Sequence, residues 1–474
     1  MSAAESIKYI YPELILLIFS VAILTLGLFS KKSGLYGILS LLGVTVSAFC
    51  LHNNFPAPAP IFSNLLLSDS FSRFFKELSL VVTFIVILIS MGYRIIKEED
   101  EPEYYFLLLV ITCAMMLAVS SGNLVMIYVA MEAVSIISYI LVGFRKHDAL
   151  SNEAALKYFL FGTLATGIML YGISFIYGLF GTTDLSVVHT ALVSKGINNV
   201  TLSAALLLIF AGIAFKCALV PFHMWVPDAY QGAPTSITAF ISVGPKIVGF
   251  VVLLRVFLKD FLPVFPAWSG FFTVICVATM TAGNIIAISQ TNIKRMLAYS
   301  SIAQAGYILI GFITGTPLGI MAVLFYIFVY AIMNLGAFAC VTLISDSIKS
   351  DSIKDYAGLS KRDPVSAFML ALFLLSLAGI PPLAGFMGKF LLFAAAIESK
   401  LVFLAIAAAI NSVIAFYYYV YVIKCMYLDE PQILDVQPKS TALQTALIIA
   451  IAGILIIGIW PLPVLSLVNA SISR

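Results

Sequence analysis

Apolar runs of roughly twenty residues, set apart by short polar intervals, recur along the whole chain, and a helix needs about that many to cross a ~30 Å hydrocarbon core. Fourteen spanning segments are read in this way, near residues 9–29, 34–51, 76–96, 104–120, 122–143, 152–180, 202–227, 233–258, 268–288, 297–314, 317–345, 365–397, 401–427 and 441–468. The runs are too long for barrel strands and lack their alternation. A closed bundle of helices is the remaining way to satisfy every backbone polar group in lipid. The pattern therefore predicts an all-α polytopic membrane protein. Segments 4 and 5, and segments 10 and 11, are joined so tightly that they are expected to pack as antiparallel hairpins. The longest polar stretches, Leu51–Ser70 and Thr182–Thr201, leave no room for a soluble domain.

Two segments are interrupted. Segment 7 reads FKCALVPFHMWVPDA, with Pro221 in its middle and Pro227 at its end. Segment 12 reads LAGIPPLAGFMGKF, with Pro381 and Pro382 flanked by Gly379 and Gly385. Interior proline removes an intrahelical hydrogen bond and clashes with the preceding turn, so both segments should unwind locally. The breaks lie five segments apart, which predicts two inverted five-helix repeats, segments 4–8 and 9–13. Corresponding broken helices of this kind point to a transport site near mid-membrane. Residues 1–474 are read as one integral membrane domain. Residues 1–100 carry the first three segments, 101–260 the first repeat, 261–430 the second and 431–474 segment 14. The symmetry is imperfect, because Lys216 precedes Pro221 by five residues whereas Lys389 follows Pro382 by seven.

Composition agrees, with 62% hydrophobic and 10% charged residues, where a soluble chain has about 25% charged. Loops after odd-numbered segments hold fourteen Lys and Arg, and the opposite side with both termini holds eight. Basic residues favour the cytoplasmic side, so both termini are expected outside. The first six residues lack the basic leader of a cleaved signal, so segment 1 is expected to be retained as a span. The six cysteines (Cys50, Cys113, Cys217, Cys276, Cys340 and Cys425) are solitary, have no ligand or redox spacing, and are read as small packing residues.

Five ionisable residues fall inside the apolar segments: Glu132, Lys157, Lys216, Lys246 and Lys389. Each costs about 2.5–3.5 kcal/mol at bilayer depth on insertion scales, which makes such residues functional candidates. Lys216 and Lys389 each accompany a break, where unwound backbone is tolerated only against protein or water. Glu132, in YVAMEAVSIISY, is the acid nearest the middle of a segment and the natural partner of Lys216, by direct contact or through one water. A static buried ion pair is the rival reading of that pair. Lys246 follows Gly244 and Pro245 in segment 8, too deep to snorkel comfortably, and would link the two breaks. Lys157 stands four residues after Glu153, a favourable helix-surface pair, and is read either as part of the row or as an interfacial ion pair. His223 is read either as a proton shuttle or as a hydrogen-bonded structural histidine. Tyr299, Ser300 and Ser301 could extend a hydrogen-bonded path or merely join helices. No phosphate-binding loop, dinucleotide fingerprint or haem-spaced histidine pair is present. The chain is expected to bind no cofactor and no nucleic acid.

The stretch FKCALVPFHMWVPDAYQGAPTSITAFISVGPKIVGF, with NIKRMLAYSSIAQAGY and LAGIPPLAGFMGKF, resembles the antiporter-like membrane subunits of respiratory complex I. Among these it is most similar to the subunit N branch of bacterial NADH-quinone oxidoreductase. The resemblance runs from about Asp69 to Tyr427. It implies that Glu132, Lys216, Lys246 and Lys389 match the family's proton-relay residues and that Lys157 matches its helix 6 lysine. It also implies proton translocation in the bacterial inner membrane, beside partner subunits that carry flavin, iron-sulfur clusters and quinone. A subunit of a multisubunit sodium/proton antiporter, or a non-pumping structural spacer, are the rival readings. Thr235 and Ser236 depart from the family, where a proline is frequent.

Overall fold

The structure, a computed structural model, describes residues 3–30, 34–53, 58–91, 93, 100–195, 200–431 and 440–472. Among these, thirteen helices are long and apolar enough to cross a membrane. The broken twelfth segment, Pro364–Ala378 followed by Ala384–Glu398, completes the expected fourteen. Segment 7 is broken as predicted, into Val200–Cys217 and the short helix Val226–Gly232. Segment 14 differs from the single helix expected. It stops at Ile459 and resumes at Leu462–Ile472, because Pro461 and Pro463 cannot continue the hydrogen-bond ladder.

The two five-helix runs share a plan. In each, two helices of about twenty residues precede a long one, Ala149–Phe180 or Pro317–Ile348, both 32 residues. A broken helix and a closing helix follow, Thr235–Leu253 in the first run and Val402–Leu428 in the second. Five crossings is an odd number, so the second run starts on the opposite side and the repeats are inverted. Matching asparagines mark the register. Asn123 accepts from the Val125 amide at 2.9 Å and bridges Asp184, beyond the long helix. Asn292 accepts from the Lys294 amide at 2.9 Å and bridges Ser352, beyond the other long helix. Both breaks contain a cis X-Pro bond, Val220-Pro221 and Pro381-Pro382.

The described residues of the two longest polar stretches hold short regular elements. Ala59–Ile61 and Leu66–Ser68 form a small antiparallel hairpin, and Leu185–Lys195 forms a helix. Asn64 donates to Asp184 at 2.7 Å, and His189 Nδ1 lies 2.9 Å from the Asp260 carbonyl oxygen, so these loops pack together on one side. There Arg255, on the π-helical end Leu254–Asp260 of segment 8, holds both oxygens of Asp69 at 2.8 and 2.9 Å and donates to the Val119 carbonyl. Burial pushes the Asp69 carboxyl up, but the Arg255 guanidinium and bonds from Ser72 outweigh it and hold it down at about 2. A depressed carboxyl stabilises the fold above its ordinary value of 3.8, and that stability is lost as pH falls toward 2. Asp69→Asn should cost about 2 kcal/mol at neutral pH. Thermal unfolding in detergent checks this: the deficit should be clear at pH 7 and shrink toward pH 3. Equal melting at pH 7 would remove the assignment.

Candidate functional site

Segment 7 ends its first half at Lys216 and Cys217, after which Ala218 turns left-handed at φ 60°. The freed backbone groups find partners elsewhere. Trp225 Nε1 donates to the Phe215 carbonyl at 3.2 Å, and Thr279 Oγ1 accepts from the Val220 amide at 3.1 Å. The break is thus a defined structure rather than a frayed end. Lys216 is fully buried, and its amine has no hydrogen-bond partner among the described residues. The same holds for Glu132 Oε2 on Leu124–Val142. Among the described residues the two do not form an ion pair within 4.0 Å, so the expected direct contact is not made, although Glu132's charge acts on Lys216. Tyr158 stacks on Trp225 with ring centroids 4.1 Å apart and meets Tyr139 edge-on at 4.7 Å. A buried amine and carboxylate oxygen without partners are costly, and native proteins keep such groups where function needs them.

Lys246, by contrast, is well partnered. It lies in a wholly buried stretch of segment 8 and donates to the Ser301 carbonyl at 2.7 Å and to Ser301 Oγ. Ser301 Oγ also meets the hydroxyls of Tyr330, at 2.7 Å, and Tyr230, at 3.2 Å. One residue away, Ser300 contacts the Tyr419 hydroxyl, which accepts from Gln304 Nε2 at 3.4 Å. Gln304 Nε2 donates as well to the Leu377 carbonyl, at the edge of the second break. Tyr299 is only half-buried and stands outside this network.

Lys389 caps the other end. Its amine donates to the Ala378 carbonyl at 2.9 Å, a group freed by the break, and lies 4.5 Å from the centre of the Tyr307 ring. Tyr307 connects through Asn284, which accepts from Tyr418 at 3.0 Å and donates to Asn411. Buried hydroxyls and amides therefore fill the space between Lys246 and Lys389.

Lys157 lies apart. It pairs with Glu153 at 2.7 Å, as its spacing predicts, and with Asp228 at 3.0 Å, and Arg295 completes the cluster at 2.7 Å from Asp228. Its side chain is 41% exposed, unlike the three buried lysines. His223 is buried within the break beside the Pro221 backbone. The pattern of the sequence did not reveal two further buried lysines. Lys76 pairs with Glu13 at 2.7 Å, both almost wholly buried. Lys294 donates to the carbonyls of Gln231 and Ala233 at 2.8 and 2.9 Å.

Two inverted helical repeats, each broken beside a buried lysine, define an inverted-repeat membrane carrier. Residues 121–415 match the family described as NADH:quinone oxidoreductase/Mrp antiporter, TM, and the chain belongs to that family. It is 40% identical over 472 residues to NADH-quinone oxidoreductase subunit N of Trichlorobacter lovleyi, covering 98% of this chain and 97% of the relative. A chain of respiratory complex I from Thermus thermophilus, solved with bound aureothin, is similar at 30% identity and a TM-score of 0.83, covering 97% of this chain and all of that one. A chain of the Mrp complex from Dietzia sp. shares the fold at a TM-score of 0.87 and 20% identity, covering 98% of this chain and 97% of that one.

Proposed function

We propose that this chain is the proton-translocating membrane subunit of an NADH-quinone oxidoreductase of the complex I type, a translocase that carries no redox centre of its own. The observation that carries this reading is the row of buried Lys216, Lys246 and Lys389 with half-buried Glu132, with Lys216 and Lys389 at the two helix breaks and side-chain hydroxyls and amides between Lys246 and Lys389, in a chain similar along its length to subunit N proteins. Quinone reduction in a partner subunit changes the field at one end of the row. Protons then shift along it, each charge working against about 2.3 kcal/mol per 100 mV. Flavin, iron-sulfur clusters and quinone sites belong to the partner subunits. Extraction in mild detergent, with identification of the co-purifying chains, tests the reading. Flavin and iron-sulfur subunits are expected. A small assembly without redox subunits would favour a sodium/proton antiporter instead.

The membrane is proposed to be the bacterial inner membrane, with both termini in the periplasm. Of the basic residues behind this orientation, Lys31, Lys32, Arg94, Lys97, Lys439 and Arg474 lie outside the described residues. Setting aside the buried Lys76, Arg255 and Lys294 leaves thirteen basic residues against six, and the bias persists. A cysteine introduced at either terminus should react with an impermeant reagent in intact cells. Protection until the membrane is opened would reverse the topology.

A further inference from the structure

Glu132 stands nine residues beyond Asn123, and Ser301 stands nine residues beyond Asn292, the two asparagines that cap corresponding helices. The polar stripe continues in step, since Ser135 and Ser138 follow Glu132 at the spacing with which Gln304 and Tyr307 follow Ser301. Ser301 therefore occupies in the second repeat the place that Glu132 holds in the first. Its partner is nevertheless Lys246 of the first repeat, so this contact lies where the repeats meet.

The hydrogen-bond geometry fixes what this hydroxyl does. Tyr330 donates its single proton to the Ser242 carbonyl at 3.1 Å, so it accepts from Ser301. Ser301 Oγ then has two lone pairs left, which receive Lys246 Nζ and Tyr230 OH. Every bonding capacity of the hydroxyl is in use, and its charge is zero. A carboxylate here would hold a charged amine in place. A hydroxyl with reversible orientation binds the amine yet lets the proton leave.

Resting on the relay reading above, we infer that Ser301 is a positioning residue that fixes the Lys246 amine at the junction of the repeats and, being neutral, keeps its proton exchangeable. The transfer step balances without a co-reactant. When Lys246 is neutral, a proton arriving on the Tyr230 oxygen displaces that hydroxyl's proton to Ser301. Ser301 turns its own proton from Tyr330 to the lone pair of the neutral amine and passes it on, and both hydroxyls remain neutral.

The test uses the whole assembled complex in vesicles, with pumping per electron pair as the readout and a native gel for assembly. Ser301→Ala should lower pumping about tenfold, in keeping with loss of a hydrogen bond to a charged group. Ser301→Thr, which keeps the hydroxyl, should restore most of it, whereas rescue by Ser301→Val, which matches threonine in shape, would show a packing role and overturn the inference. Lys246→Ala is the reference. If it leaves pumping intact, the relay reading itself fails. If it abolishes pumping while Ser301→Ala pumps normally, the relay stands and the role of Ser301 is refuted.

Discussion

Lys216→Ala should leave the protein folded and assembled with its partners yet slow coupled proton transfer on the order of a hundredfold, within the range that a positioned proton-transfer group supplies. The side chain is wholly buried and its amine bonds to nothing among the described residues, so its removal breaks no hydrogen bond and deletes a desolvated group. The break beside it is held by Trp225 and Thr279, which the substitution leaves untouched. What disappears is the cation that answers Glu132. Pumping per electron pair in vesicles, beside native-gel assembly, decides the matter. Full pumping in an assembled complex would favour the structural-spacer reading, and loss of assembly would favour a static ion pair. Lys157→Ala should change pumping far less, because an exposed pair is worth about 0–1 kcal/mol and Asp228 keeps Arg295.

Gly385→Ala should be the most damaging substitution to the fold itself. A methyl group at this position would overlap the Ser376 carbonyl and meet the Met333 sulfur at 2.8 Å. The glycine amide also donates to Ser376 Oγ at 3.2 Å, tying the second half of segment 12 to the end of the first. Backbone cannot yield as a flexible side chain does, so the two halves must part, at a cost of about 3 kcal/mol or more. Gly178→Ala is the control, since nothing lies within 4 Å of the added methyl, and it should stay within about 0.5 kcal/mol of the parent. Thermal unfolding in detergent compares them. Similar melting of the two variants would show that segment 12 tolerates repacking at its break.

The spans were legible because lipid imposes one requirement on every backbone group, and apolar length reports it directly. The two breaks were legible for the same reason, through their prolines. Pro461 carried an equal warning in segment 14, but the apolar residues around it masked the stop. The hairpin at residues 59–68 and the helix Leu185–Lys195 left little trace, since short polar stretches bound to neighbouring loops show weak periodicity. Among the ionisable residues, depth in an apolar run identified Lys216, Lys246 and Lys389. Glu13 and Lys76 escaped because each stands near a helix end and resembles an interfacial charge. Only packing across 63 residues of sequence makes them a buried pair. The Ser301 partners escaped for a different reason. Tyr230 and Tyr330 are amphipathic side chains among apolar ones, and nothing local distinguishes a packed ring from a bonded hydroxyl.

The first break is fastened from the second repeat as well as from its own. Thr279 holds the Val220 amide, Lys294 gathers the Gln231 and Ala233 carbonyls, and Arg295 grips Asp228. The unwound stretch around residues 218–225 is consequently no free hinge. Tilting the short helix Val226–Gly232 requires Ser269–Ile288 and Ile293–Thr314 to move with it, so strain applied at one repeat is delivered to the other by rigid struts.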